Sequence, residues 1–171
     1  MYTGYNMRRL GFTLLEITVA MAIMGILATM AIGAYIASQQ KGRDAQRKSD
    51  LAQMQRALEA YVSDHGTYPG AVGGRIASCG APGYTGQCGW GAEFRDADGT
   101  IYMKQLPRDA QAAQIYVYVV SSDRKQYQLF ALLENVNDPA IADYTYTCST
   151  SATLCNYGAS SSNVTPAETL E

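Results

Sequence analysis

One stretch limits most of what this chain can fold into. From Phe12 to Ile36, 25 residues carry a single acidic or basic side chain, Glu16. As a helix rising ~1.5 Å per residue, a run of that length spans a ~30 Å hydrocarbon core. It follows a short polar leader ending Arg8-Arg9-Leu10-Gly11. A carboxylate in an apolar span is costly, about 2.5–3.5 kcal/mol at the centre of a membrane helix and less near its edge. A simple anchor has no use for it, so Glu16 asks for a partner of opposite charge.

Three kinds of segment compete for this pattern. An ordinary secretory signal has an apolar core of about 7–15 residues and a small-residue cleavage site after it. Here the run is longer, and nothing beyond Ile36 reads as such a site. An uncleaved signal anchor fits the length, with Arg8 and Arg9 holding the N-terminus in the cytoplasm. It would make the protein a monomeric, membrane-anchored extracytoplasmic binding module, and it leaves Glu16 unexplained. The third reading is a leader cut before Phe12, which creates a charged amine close to the Glu16 carboxylate. An unperturbed α-amine titrates at about 7.7–8.0 and a glutamate at about 4.3, so opposite charges coexist at neutral pH. Each is tolerable in an apolar assembly only when paired.

Past Ser38 the chain turns polar but keeps a helical period. Leu51, Met54, Leu58, Tyr61 and Val62 form one apolar stripe. Asp44 with Lys48, and Arg56 with Glu59, are spaced to support a solvated helix face. His65-Gly66 and Pro69 supply the stop. One helix is thus predicted over about 12–64, its first part (12–36) apolar all round and its second (37–64) amphipathic. Lys41, Arg43, Arg47 and Lys48 make a basic cluster suited either to lipid headgroups and acidic neighbours or to a solvated helix face with internal ion pairs. His65, the single histidine, reads as a loop residue.

The apolar stripe needs a cover, and the head supplies one. Ile115–Val120 and Tyr127–Leu133 flank a polar turn and read as an antiparallel hairpin. Tyr144–Cys148 reads as a third strand. Residues 66–100 are Gly-rich and loop-like, and residues 158–171, rich in Ser, Thr and Ala, read as a flexible tail. The fold class is therefore α+β: a leader (1–11), a long helix, and a head over 65–157.

Cys79, Cys88, Cys148 and Cys155 are the four cysteines, and short spacings favour Cys79–Cys88 and Cys148–Cys155 disulfides in an oxidising compartment. A four-thiolate zinc site is the rival, without its usual spacing. Asp96-Ala97-Asp98-Gly99 makes Asp96 and Asp98 calcium candidates, with a plain polar turn as the simpler reading. Asn163-Val164-Thr165 matches a glycosylation tripeptide, and Ser160 to Ser162 are possible O-glycan positions. No nucleophile motif, HExxH or nucleotide loop is present, so no enzyme and no cofactor is expected. Net charge is −2 for the whole chain; without Arg8 and Arg9 it is −4, which speaks against nucleic-acid binding.

Gly11-Phe12-Thr13-Leu14-Leu15-Glu16 resembles the prepilin-peptidase motif of type IV pilins and type II secretion pseudopilins, and Met24–Ala28 and Ala31–Tyr35 resemble the rest of that family's N-terminal helix. The stretch from Leu106 through Asn135 is similar to the head of pilins close to the major pseudopilin. The resemblance implies the type IV pilin fold, cleavage between Gly11 and Phe12, N-methylation of Phe12, and pairing of Glu16 with the terminal amine of a neighbouring subunit. It implies prepilin peptidase, an inner-membrane platform with its assembly ATPase, further copies of the chain and related minor pilins as partners. It also implies storage in the inner membrane, N-terminus inside and head outside, before passage into an extracellular pilus or a periplasmic pseudopilus. The stapled loop and polar tail favour the pilus, with the secretion pseudopilus as the alternative. Gly33 stands where the family often carries proline, so a proline kink is not enforced.

Overall fold

A computed structural model describes residues 11–77, 79 and 86–170. Most of the leader, including Arg8 and Arg9, lies outside the described residues. The chain divides into two compact units, Met1–Gln39 and Gln40–Glu171. A single 52-residue helix, α1 (Leu14–His65), supplies part of each. It runs unbroken through Gly25, Gly33 and Gly42, in keeping with the absence of proline between residues 12 and 68.

In the first unit α1 is apolar on every side, and its large side chains from Leu14 to Ile36 are exposed. Its hydroxyls turn inward: Thr18 and Thr29 donate to the Leu15 and Ile26 carbonyls at 2.9 and 2.7 Å. That is how a helix satisfies polar groups where water is absent. The segment is long and apolar enough to cross a membrane.

In the second unit α1 buries the predicted stripe: Leu51, Met54, Ala57 and Leu58 enter the core, with Tyr61 and Val62 packed at its margin. The cover is a three-stranded antiparallel sheet, β5 (Val117–Val120), β6 (Tyr127–Ala131) and β7 (Tyr157–Ser160), in the order β5-β6-β7. Strand alternation divides its side chains by face. Tyr116, Tyr118, Tyr127, Leu129 and Ala131 join the helix-side core, while Val117 and Phe130 join a second cluster with Cys148 and Cys155. Two short hairpins fill the stretch read as loop. The first, β1 (Ala71–Val72) with β2 (Arg75–Ile76), turns on Gly73 and Gly74 at φ 57° and 74°. Positive φ at both central residues suits this tight hairpin and favours glycine. The second pairs β3 (Phe94–Arg95) with β4 (Ile101–Met103).

Two expectations for the C-terminal third need correction. Tyr144–Cys148 is not the third strand; it makes only an isolated bridge at Thr147 with Leu154. The Cys148–Cys155 disulfide closes a tight loop there, and the Tyr144 and Tyr146 rings lie tilted against Phe130 at 4.9 and 4.6 Å between ring centres. Residues 158–171 are not a free tail, because β7 runs through Ser160 along β6. The chain beyond β7 is pinned: Gln128 Nε2 donates to the Thr165 and Glu168 carbonyls at 2.8 and 2.6 Å, and Val164 is buried. Small residues make this possible. A Cβ on Gly158 would meet Pro166 at 2.6 Å and the Tyr144 ring at 3.1 Å.

Candidate assembly site

The start of α1 is built by its own sequence. Gly11, Phe12 and Thr13 precede the helix, and Thr13 caps it: its Oγ1 accepts the Glu16 backbone N–H at 3.2 Å. Thr13-Leu14-Leu15-Glu16 is thus the S/T-x-x-E pattern of a helix start, a signal present in the sequence beside the one predicted for Glu16. Glu16 falls in the first turn, where the helix dipole favours negative charge. Its side chain is exposed and makes no hydrogen bond among the described residues. Phe12 is 78% exposed. A Cβ added to Gly11 would meet nothing within 4 Å, so the fold does not require glycine there. The site therefore gathers an uncommitted carboxylate, an exposed aromatic residue and non-helical backbone at the end of an apolar helix.

The basic cluster has a different role from the lipid or neighbour contacts considered for it. Three of its four residues turn into the head. Arg47, 2% exposed, grips Asp109 with two hydrogen bonds, Nε to Oδ2 at 2.6 Å and Nη2 to Oδ1 at 3.0 Å, and donates from Nη1 to Asp44 and Glu134. Arg43 also pairs with Glu134, and Lys48 with Asp138 at 2.7 Å. Asp44 completes the junction by accepting the Glu134 and Asn135 backbone N–H groups at 2.9 and 2.8 Å. Asp44 therefore bonds Arg47 and the Glu134–Asn135 backbone, and Lys48 bonds Asp138, rather than each other. Glu59 likewise accepts from Tyr68 rather than pairing with Arg56. Bonding from Arg43, then Arg47, outweighs burial and holds the Glu134 carboxyl down at about 2. Burial opposes the Arg47 charge, but its three carboxylate partners raise its pKa above the ordinary value.

Asp96 is committed to its own turn. Its Oδ1 accepts the Asp98 and Thr100 backbone N–H groups at 3.0 and 2.8 Å, and its Oδ2 accepts the Tyr102 hydroxyl at 3.0 Å. Burial pushes this carboxyl up, and the bonds from Thr100, Tyr102 and His65 carry it down to about 2. Asp98 is exposed and contributes its backbone to the turn. This is the polar-turn alternative, and no metal-holding group of three or more His, Cys, Asp or Glu occurs among the described residues. His65 is the last residue of α1, not a loop residue, and stacks on Tyr61 at 4.2 Å between ring centres. The cysteines are bonded as Cys79–Cys88 and Cys148–Cys155. Of the proposed glycan positions, Asn163 and Ser162 are exposed. Ser160 and Ser161 hydroxyls are used internally, donating to the Val164 carbonyl and Asn163 Oδ1.

A long N-terminal helix with a bare apolar half, joined to a head of small antiparallel sheets, defines the pilin class of α+β proteins. Residues 6–32 match the model of the prokaryotic N-terminal methylation motif. The type II secretion system core protein G of Klebsiella michiganensis is 31% identical over 121 residues, 71% of this chain and 80% of that protein. Its counterpart from Aeromonas hydrophila is 31% identical over 102 residues, 60% of this chain and 67% of that protein. The type IV major pilin protein PilA of Myxococcus xanthus is 34% identical over 64 residues, 37% of this chain and 29% of that protein. No solved structure matches significantly. The chain belongs to the family of type II secretion system core protein G, pilin-like subunits that carry the N-terminal methylation motif.

Proposed function

We propose that this protein is cut between Gly11 and Phe12, methylated on the Phe12 amine, and polymerised through α1, with each Glu16 pairing the Phe12 amine of a neighbour. The observation that carries this reading is the exposed Glu16 carboxylate, without a hydrogen-bond partner among the described residues, in the first turn of a helix preceded by Gly11, a glycine with open space around it. A residue free to vary on folding grounds yet matching the motif fits a requirement set by a processing enzyme. The ion pair adds little net stability, because desolvating two charges offsets their attraction. Its contribution is register, since one stagger between subunits brings the charges together.

The secretion-system and pilus roles both have support. Similarity to core protein G extends over 121 residues, enough to include head as well as helix. The PilA match is confined to 64 residues. We therefore take the pseudopilus and the pilus as two destinations of one assembly mechanism.

Mass spectrometry of the native N-terminus, from membranes and from sheared filaments, tests processing and destination together. The expected mature chain begins with methyl-Phe12 in the polymer; an intact Met1 in every fraction refutes the cleavage. Glu16→Ala is expected to be processed normally and to form no filaments when it is the sole subunit. Normal filaments from that variant would remove the pairing role.

A further inference from the structure

The Cys148–Cys155 disulfide joins the two edges of the main sheet. Cys148 is tied to the approach to β5: its carbonyl accepts the Ile115 N–H, and Thr150 N–H donates to the Ala113 carbonyl, each at 2.9 Å. Cys155 is tied to the approach to β7: the next residue, Asn156, donates its N–H to the Ala131 carbonyl of β6 at 3.1 Å, and Tyr157 opens the strand. β5 and β7 are the outer strands, with β6 between them. The bridge lies on the face turned away from the helix, where both cysteines cluster with Val117 and Phe130. It therefore works as a clasp from edge to edge over the central strand.

Two observations single out β7 as the part that needs this clasp. The strand brings little of its own: Tyr157–Ser160 is half-buried along its length, and its glycine, alanine and serine bury little apolar area. The cluster that holds this face together is also small. Cys148 and Cys155, 0% and 1% exposed, are two of its four buried members among the described residues. The Cys79–Cys88 disulfide has no such position. It sits beside backbone contacts that already link the same two stretches, Cys88 N–H to the Ile76 carbonyl at 2.7 Å and the Ala77–Gln87 bridge, and it connects no strands of the main sheet.

We propose that oxidation of Cys148 and Cys155 is the step that seats β7, so that the head closes only after a disulfide donor has acted on it. In the dithiol chain α1 and the β5–β6 hairpin are folded, while the segment from Cys155 onward leaves the β6 edge open. One cysteine thiolate attacks a sulfur of the donor and displaces the other as a thiolate. The second cysteine thiolate then attacks the mixed disulfide and displaces the remaining donor sulfur. The chain gives up two electrons and two protons, and the donor leaves as two thiols. The finished bond is buried, and thiol exchange needs access to a sulfur, so the closure persists. This device is separate from cleavage at Gly11 and from the pairing of Glu16: it acts on the head, not on the filament contact.

The test uses the full chain in detergent micelles with Cys79→Ala and Cys88→Ala, which leaves one bridge to make or break. Hydrogen exchange is followed strand by strand in the dithiol, after dithiothreitol, and in the disulfide form, after oxidised glutathione. In the dithiol the Tyr157–Ser160 amides should lose protection by about tenfold or more, the scale of one small-loop disulfide, while the β5–β6 amides change by less than about threefold. Oxidised glutathione should restore the β7 protection. Cys148→Ala with Cys155→Ala, in a chain that keeps Cys79 and Cys88, should match the dithiol. Equal β7 protection in the two forms overturns the proposal. So does loss of β5–β6 protection together with β7, including a dithiol that does not fold, because the bridge is then a general stabiliser. A β7 already unprotected in the disulfide form of the Cys79→Ala, Cys88→Ala chain overturns it as well.

Discussion

Arg47 shows how much one side chain can decide. It is the common partner of Asp44, Asp109 and Glu134. Removing it strands carboxylates in a site with little access to water, the case in which breaking a buried pair is expensive, about 3–5 kcal/mol. Arg47→Ala should therefore lower the thermal midpoint of the detergent-solubilised chain far more than Lys41→Ala, which removes a charge from the exposed end of the same cluster. Equal midpoints for the two variants would show that the junction contributes nothing. The charge pattern in the sequence placed Arg47 in a cluster but left its direction open. Periodicity identifies a helix and its apolar face, whereas the partners of a polar side chain come from segments 62 and 87 residues away. Glu16 was legible for the opposite reason: its meaning lies in local context, a lone charge in an apolar run. Thr13 carries an equally local signal, the three-residue spacing to Glu16 that marks a helix start.

At the level of elements, the helix and the β5–β6 hairpin were readable because their hydrophobic periods, 3.6 and 2, stand out over many residues. β7 was not. Tyr157-Gly158-Ala159-Ser160 has no apolar alternation and only one large side chain, and it becomes a strand because β6 offers it an edge. Its small residues, which resembled a linker, are what allow the chain to pass under Tyr144 and Pro166. Deleting residues 158–171 should thus uncover the β6 edge, broaden the melting transition and promote aggregation, since an unpaired edge invites further strands. Unchanged melting and solubility after the deletion would restore the flexible-tail reading.

For the whole molecule, the titrating groups predict a stability plateau with two falling sides. At the acid side, Glu134 moves from 4.5 to about 2 and Asp96 from 3.8 to about 2 on folding, with Asp123 and Asp138 also lowered. A depressed folded pKa contributes stability that is present above the unfolded value and lost as pH falls through the folded one. The thermal midpoint should therefore drop between pH 4.5 and about 2, and Glu134→Gln should flatten part of that slope. At the alkaline side, burial raises Tyr68, Tyr102, Tyr116, Tyr118 and Tyr127 above 10.0. Their contribution is present below that pH and is lost as pH rises toward the folded values. Circular-dichroism melts across pH check both sides: a midpoint independent of pH between 2 and 4.5 contradicts the carboxylate assignment, and one that does not fall as pH rises above 10 contradicts the tyrosine assignment.

The Thr13 cap has a consequence for timing. The first described backbone bond of α1 runs from Ile17 N–H to the Thr13 carbonyl at 3.3 Å, so the Gly11–Phe12 bond lies upstream of the whole hydrogen-bonded ladder. Cutting it would release no turn of helix and leave the fold as it was. What changes is electrical: an uncharged amide nitrogen becomes a cation at the tip of an already finished rod. Maturation would then resemble switching on a contact rather than reshaping a part, and subunits could wait in the membrane fully folded yet unable to find one another.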